Sequence, residues 1–542
     1  MVLVNAWAIA QDPNYWEDAA SFKPERFLDS KIGYRGTHFE YLPFGTGLRM
    51  CPGSAVAFKN IQMLVGSLLH YFDWSLPNGA DPTTIDTNEK YFTTLKKEKP
   101  LLLIPKLRKP NTLNLSWDQL MVVASSPDIA REFCKTHDRI FSGRHLPSVY
   151  HNLPGITNSS IVLSPDCSKS WKLLRSIGQN CVFSSKAMES NAWIRKEKVM
   201  DLVNHLRTNE GKVANLEDMM FATLANIIST ALTSRNLFDI HGQENNEYKA
   251  MMALVNEVIE KTTTLGLVDF LPILKGIDFW SKGKAMDLYR KIKLTWGDII
   301  DERKSMGREN LSSTQNFLDI VLADSTFSED QIGNALIELL IGATDSTTIT
   351  TVWLIVELIR NQEMLTKVRD EIAQAVEGDE LNEILLSQCH YFQACIKETL
   401  RLHVPAPMLV PHRALETCKV NNYVIPKDSM VLVNAWAIAQ DPNYWEDAAS
   451  FKPERFLDSK IGYRGTHFEY LPFGTGLRMC PGSAVAFKNI QMLVGSLLHY
   501  FDWSLPNGAD PTTIDTNEKY FTTLKKEKPL LLIPKLRKPN SV

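Results

Sequence analysis

The chain has 542 residues, a formal net charge of -3, 44% hydrophobic and 22% charged residues. That length exceeds one small domain and suits a large catalytic domain with an appendage, in a composition that folds nearly throughout. Without a surplus of clustered Lys and Arg to neutralise phosphates, a nucleic-acid partner is excluded.

At the N-terminal end, Met1 to Asn111 recurs without a single change as Met430 to Asn540. Repeat arrays use short, diverged, contiguous units, whereas this segment is long, identical and interrupted by unrelated sequence. Residues 1–111 are therefore read as a duplicated C-terminal fragment without a function of its own, and 112–542 as the catalytic domain. A join between tandem gene copies accounts for the identity. The other reading is a true fused chain in which the first copy competes for the same slot, as in domain swapping. The start shows no secretory signal pattern, and the eight cysteines are scattered without a CxxC pair, as suits a reducing compartment.

After the junction, Thr112 to Ser125 predicts two short strands and a turn, and Pro127 to Thr136 a helix. From Trp171 to Val376 the apolar periodicity is mostly helical. Ser328 and Gln331 form a capping box before Ile332, Ala335, Leu336, Leu339 and Leu340, which opens a helix of about thirty residues. The apolar stretch Ala335 to Ile359 contains Glu338, Asp345 and Glu357, so a buried helix is a better reading than a membrane span. Further helices are expected over Glu363 to Val376 and Leu386 to Leu402. Beyond Pro405 short β-branched runs and turns take over, with a last helix after Pro481. The fold class is mainly α with small β-sheets.

Three groups of residues carry chemistry. In Phe473-Gly474-Thr475-Gly476-Leu477-Arg478-Met479-Cys480-Pro481-Gly482 the glycines let the backbone turn around one sulfur and a helix starts directly afterwards. Amides aimed at the sulfur and the positive helix end predict a lowered thiol pKa, as iron ligation requires. Glu398 and Arg401 stand three apart on one helix and can pair. Gly342-Ala343-Thr344-Asp345-Ser346-Thr347 interrupts the long helix with small residues, an acid and hydroxyls that can bond back to carbonyls.

The ten-residue loop resembles the haem loop of the cytochromes P-450, with matching Phe473, Gly474, Arg478, Cys480 and Gly482. The resemblance covers 112–542 and implies the cytochrome P-450 fold, preceded by the duplicated fragment, with haem b held by Cys480 as the axial ligand. Cys51 is its equivalent in the duplicate and is not expected to bind, because chain order puts it before every other haem-site element. The segment Phe451-Lys452-Pro453-Glu454-Arg455-Phe456 is similar to the one that supplies a second arginine to the helix pair, which makes Glu398, Arg401 and Arg455 a structural network. Trp171 and Arg175 resemble the Trp-x-x-x-Arg helix that holds a haem propionate, with Arg478 a further cation and Phe473 and Gly482 completing the cofactor site. Asp345 and Ser346 fall on the acid and alcohol of the oxygen-activation groove, on a helix that the family kinks. Ala343 replaces the usual second glycine there, and Ser346 the usual threonine. A pocket is implied at Leu339, Gly342, Ala343, Val404, Ala406 and Met408, with the loop from Arg144 to Ile156 as a lid.

Thr136-His137-Asp138-Arg139, Trp296 with Glu302-Arg303-Lys304, Arg413-Ala414-Leu415-Glu416-Thr417-Cys418 and Phe501-Asp502-Trp503 resemble plant microsomal enzymes of benzylisoquinoline alkaloid metabolism. The implied function is a haem-dependent monooxygenase that uses O2 to hydroxylate or oxidatively couple a hydrophobic secondary metabolite. Electrons would come from NADPH through the separate NADPH-cytochrome P-450 reductase, since no nucleotide fingerprint is visible. A monomer on the cytosolic face of the endoplasmic reticulum membrane is implied. The family's membrane anchor, proline-rich hinge and first helix do not precede Thr112, so a cytosolic or peripheral location is the alternative. The alternatives for function are a haem-binding pseudoenzyme or non-functional fusion, and a haem-thiolate isomerase or dehydratase that needs no reductase.

Overall fold

In a computed structural model, helix α4 (Glu329–Arg360) runs through the middle of the catalytic unit. The structure describes residues 4–107 less a few isolated positions, 120–146, 160–239, part of 253–258, 279–305, 316–377 except 325, 380–520 and 523–537. The chain divides into two compact units, Met1–Leu115 and Ser116–Val542.

The start of α4 is set by the predicted capping box: Gln331 N–H donates to Ser328 Oγ (3.3 Å) and Ser328 N–H to Gln331 Oε1 (2.8 Å). Glu329 and Asp330 in the first turn complement the helix dipole. From Ile349 to Ile359 the helix is buried on all sides. Among the described residues it is the only helix long and apolar enough to cross a membrane, and most of its apolar stretch is covered by protein.

Around α4 lie α2 (Lys169–Gly178), α3 (Leu216–Thr233), α5 (His390–Leu402) and α6 (Ser483–Tyr500). Trp353, Leu354 and Val356 of α4 share one core with Leu224 of α3, Phe392 and Ile396 of α5, and Leu493, Val494 and Leu497 of α6. Fully burying such side chains contributes about 1.5–3 kcal/mol each, which fixes the bundle. The predicted helix at Leu386 to Leu402 is split at Cys389 into Glu383–Gln388 and α5. The helix expected at Pro127 to Thr136 is α-helical to Arg131 and then widens to a π turn over Glu132–Thr136.

A four-stranded sheet packs beside the bundle, in the order β1 (Met121–Ala124), β4 (Met430–Val433), β3 (His412–Arg413) and β2 (Gly143–Arg144). Strand β4 is parallel to β1, with Val431 opposite Val122, and antiparallel to β3. Near the C-terminus β5 (Glu518–Tyr520) and β6 (Leu524–Lys526) form a hairpin, and Phe501–Ser504 pairs with Leu531–Leu536. The observed class is mainly α with small sheets, as expected.

The unit Met1–Leu115 contains helix α1 (Ser54–Tyr71) and an antiparallel pair, Phe72–Ser75 with Ile104–Leu107.

Candidate active site

Inside the catalytic unit is a cavity of about 280 Å³. One wall is the face Glu338, Leu339, Gly342, Ala343, Ser346, Thr347 and Thr350 of α4, spaced by one, three and four residues as a single helical face requires. Another wall is the loop that carries Cys480, with Val485, Ala486 and Asn489 of α6.

The cysteine loop folds as its glycines demand. Gly474 and Gly476 adopt φ of +67° and +71°, the left-handed region, and Cys480 N–H closes the turn on the Phe473 carbonyl (3.0 Å). A side chain at Gly476 would strike the Cys134 carbonyl oxygen and the Asp138 carboxylate, which accepts Leu477 N–H at 2.8 Å. The Cys480 sulfur opens into the cavity although it lies deep in the protein. Burial raises its pKa; the Gly482 amide and Arg175 oppose this and are outweighed. The expectation of a thiol lowered by the loop alone is therefore corrected, because desolvation disfavours the charged form more than one amide and one nearby cation favour it. A thiolate here calls for a cationic partner within the cavity.

Three guanidinium groups reach the same cavity. Arg144 donates to the Val162 (3.2 Å), Val410 (2.5 Å) and Pro411 (3.2 Å) carbonyls, and burial, followed by Arg478, pushes its pKa down to about 9. Arg175 Nη2 donates to Met479 O (2.7 Å). Arg478 donates to Ser142 O (2.7 Å) and Ser164 O (2.6 Å), while its Nη1 is buried with no hydrogen-bond partner. His412 joins them; its Nδ1 lies 2.8 Å from Phe141 O, and burial and Arg144 push its pKa down to about 3, so it is neutral. None of the three arginines is ion-paired among the described residues. The donor set fits a haem: a sulfur ligand, an apolar cavity, and cations with an unspent N–H for two carboxylates.

Trp171 takes a different role from the one expected. Its indole N–H donates to Ile161 O (2.9 Å), and it does not line the cavity. The Arg175 and Arg478 guanidinium carbons lie 5.2 and 4.8 Å from its ring centroid, so it orients the two arginines by cation–π contact while its own donor is occupied.

Away from the cavity, the charge network assembles as read. Arg401 makes a two-pronged pair with Glu398 (2.8 and 2.9 Å), and Arg455 Nε adds a third bond to the same carboxylate (3.1 Å). Lys452 N–H (2.8 Å) completes it, and Arg401 also donates to the Ala439 and Ala448 carbonyls. Glu398 and Arg401 are fully buried, and a buried pair needs such complete satisfaction.

The acid and the alcohol of the groove part company. Ser346 lines the cavity and donates to Gly342 O (3.0 Å), whereas Asp345 is turned off the wall and accepts from Thr523 Oγ1 (2.8 Å), just before β6. Burial raises the pKa of Asp345, against the Thr523 bond and Lys525. Helix α4 is α-helical throughout this groove, where the Thr344, Ser346 and Thr348 hydroxyls donate to carbonyls four residues back.

Of the implied pocket, Leu339, Gly342, Ala343 and Ala406 line the cavity. Val404 and Met408 do not: Val404 packs against Ala435 and Ala439. A turn closed by Leu409 N–H on Ala406 O, with Leu409 at φ +49°, presents Leu409 and Val410 instead. Of the lid, Arg144 lies on the cavity wall, and 147–156 lie outside the described residues. Arg144, His412 and Glu338 were missed as site residues. Glu338 did leave a signal, a carboxylate inside an apolar helical stretch, whereas nothing local marks Arg144 or His412.

The family model "Cytochrome P450" matches residues 1–104 and 112–533. The chain belongs to the cytochrome P-450 family. It is 37% identical over 420 residues to (S)-N-methylcoclaurine 3'-hydroxylase isozyme 1 of Papaver somniferum, covering 77% of this chain and 86% of that one. Corytuberine synthase of Coptis japonica is 36% identical, covering 85% and 94%, and geraniol 8-hydroxylase of Catharanthus roseus 32%, covering 81% and 90%. A zebrafish cytochrome P-450 solved with progesterone shares the fold at a TM-score of 0.64 and 22% identity, over 77% of this chain and 94% of that one. The protein is accordingly a cytochrome P-450 monooxygenase. Its cofactor is haem b, its electrons come from NADPH through a reductase, and its substrates are O2 and a hydrophobic molecule.

Proposed function

We propose that this P-450 hydroxylates or oxidatively couples a plant secondary metabolite of the benzylisoquinoline alkaloid type, at the cavity that Cys480 and Ser346 share. The supporting observation is that one apolar cavity brings together a buried sulfur, three arginines without carboxylate partners among the described residues and the Ser346 hydroxyl. The relatives named for N-methylcoclaurine hydroxylation and corytuberine synthesis support the substrate class.

Haem, when bound, supplies the oxygen-activating chemistry. Cys480 would hold its iron, and Arg144, Arg175 and Arg478 its carboxylates, with Trp171 fixing the two last arginines. Ser346 Oγ would hold the proton at the cavity wall. Asp345, whose carboxyl pKa burial raises, would hold a proton of its own on the Thr523 side of α4. Leu339, Ala343, Ala406 and Leu409 exclude water from the substrate. Residues 1–111 carry Cys51 without an acid–alcohol pair or a Glu398 equivalent in their own sequence, and would hold no haem. The enzyme would act as a monomer at the cytosolic face of the endoplasmic reticulum membrane.

The test is a reduced carbon monoxide difference spectrum of the purified chain, followed by turnover with NADPH, reductase and a panel of benzylisoquinolines. A thiolate-type Soret band and NADPH-dependent product are expected. No haem uptake would leave the non-functional fusion, haem without turnover the pseudoenzyme, and turnover without NADPH an isomerase or dehydratase.

A further inference from the structure

Among the described residues Glu338 is the only carboxylate lining the cavity. Its Oε1 accepts from Ser160 Oγ (2.5 Å) and Val162 N–H (3.0 Å), and its Oε2 from Ile161 N–H (2.8 Å). All three donors are neutral. No Lys, Arg or His pairs with Glu338 among the described residues; the bonds of Arg144, Arg175 and Arg478 go to backbone carbonyls, and Arg478 Nη1 has no partner. Burial accordingly raises its pKa against the hydrogen bonds that favour the ionised form.

Anchoring Ser160 to Val162 explains the three bonds but not the charge. A buried carboxylate is costly unless paired, and its neutral donors, the Leu163 N–H included, satisfy its oxygens without supplying an opposite charge. The neighbouring wall is apolar, with Ile161, Phe183 and Leu339. Among the described residues no cation pairs with Glu338, and its place in the cavity lining leaves it open to a cationic ligand bound there.

We propose that Glu338 is a specificity-determining residue that pairs with the protonated basic nitrogen of the substrate, so that the cavity prefers a cationic hydrophobic amine to its neutral isostere. The inference rests on the reading of this cavity as the substrate site. Glu338 precedes Ser346 by eight residues, about 12 Å along the axis of α4. The nitrogen would thus be held at one end of the pocket and the oxidised carbon presented several bonds away.

The experiment titrates haem-loaded protein with N,N-dimethyl-2-phenylethylamine and with its carbon isostere, 3-methylbutylbenzene, following the Soret shift. Wild type is expected to bind the amine about tenfold or more tightly than the hydrocarbon, in the range of a hydrogen bond to a charged group. Glu338→Gln is expected to lose that preference while hydrocarbon affinity stays. Equal binding of the two probes by wild type overturns the proposal without any variant, as does a Glu338→Gln protein that keeps the preference or loses both affinities equally. Failure to load haem at all would instead sink the reading of the site, and it is scored separately by the carbon monoxide spectrum.

Discussion

The same 111 residues are present twice, and their local structures agree while their surroundings do not. Trp16, Phe27 and Tyr41 form the ring cluster that Trp445, Phe456 and Tyr470 form, with Trp–Phe centroids 5.7 Å apart in both. Trp74 stands opposite Pro105 as Trp503 stands opposite Pro534, and Cys51 N–H closes on Phe44 O at 3.0 Å as Cys480 does on Phe473 O. Burial separates them. Ile61 and Leu69 of α1 are 55% and 57% exposed, while their twins Ile490 and Leu498 of α6 are 1% and 0% exposed. Arg455 reaches Glu398, but Arg26 ends on the carbonyls of its own segment, those of Glu17 and Ser21 among them. A half-domain carries its turns and ring contacts with it, and leaves behind the partners that make them a core.

That contrast can be broken or sharpened by paired substitutions. The largest difference is expected at the two cysteines: Cys480→Ala abolishes the thiolate-type carbon monoxide band, and Cys51→Ala leaves it intact. The reverse outcome would mean that the first segment has taken the place of the second. Next, Leu498→Ala should cost the catalytic unit about 2–5 kcal/mol in urea unfolding, as core truncations do, against within about 0.5 kcal/mol for Leu69→Ala. Arg455→Ala should lower stability by about 1.5–3 kcal/mol through its lost bond to a buried carboxylate, with the same transition unmoved in Arg26→Ala.

The smallest effect is a pH dependence. His403 stacks on Trp353 (3.9 Å between centroids) with one ring nitrogen 2.9 Å from Glu357 and the other 3.0 Å from Glu518. Burial opposes its charging, but the two carboxylates outweigh burial and raise its pKa. A raised folded pKa means stability fully present below the ordinary histidine value of about 6.5 and lost as pH rises through the folded value. The thermal midpoint should fall across that window in wild type, and less steeply in Glu518→Gln. Glu89→Gln, at the twin position, should reproduce the wild-type slope; a flattened slope there would refute the assignment.

Much of the site was legible because its signals are local. The cysteine loop, the Glu398–Arg401 spacing and the Ser328 capping box each depend on residues within ten positions, and all three hold. Val404 and Met408 lie off the cavity wall and the Trp171 N–H meets Ile161 O, because which way a turn or an indole faces depends on distant carbonyls in reach. Arg144 and His412 were invisible for the same reason, since their partners lie at Val410 and Phe141. The thiol pKa went astray because hydrogen bonds can be counted along a loop, but desolvation cannot.

The sequence by itself determined the helices, the loop around Cys480, the charge network and the family, since backbone preferences and short-range spacing are properties of neighbouring residues. Tertiary structure alone decided which of two identical segments forms a core, which arginines share the cavity, that Asp345 turns away from Ser346, and that Glu338 lines the cavity with no cationic partner among the described residues. Burial, with the dielectric and ion-pair costs that follow it, belongs to the whole packed chain, so two copies of one sequence can differ in what they bury.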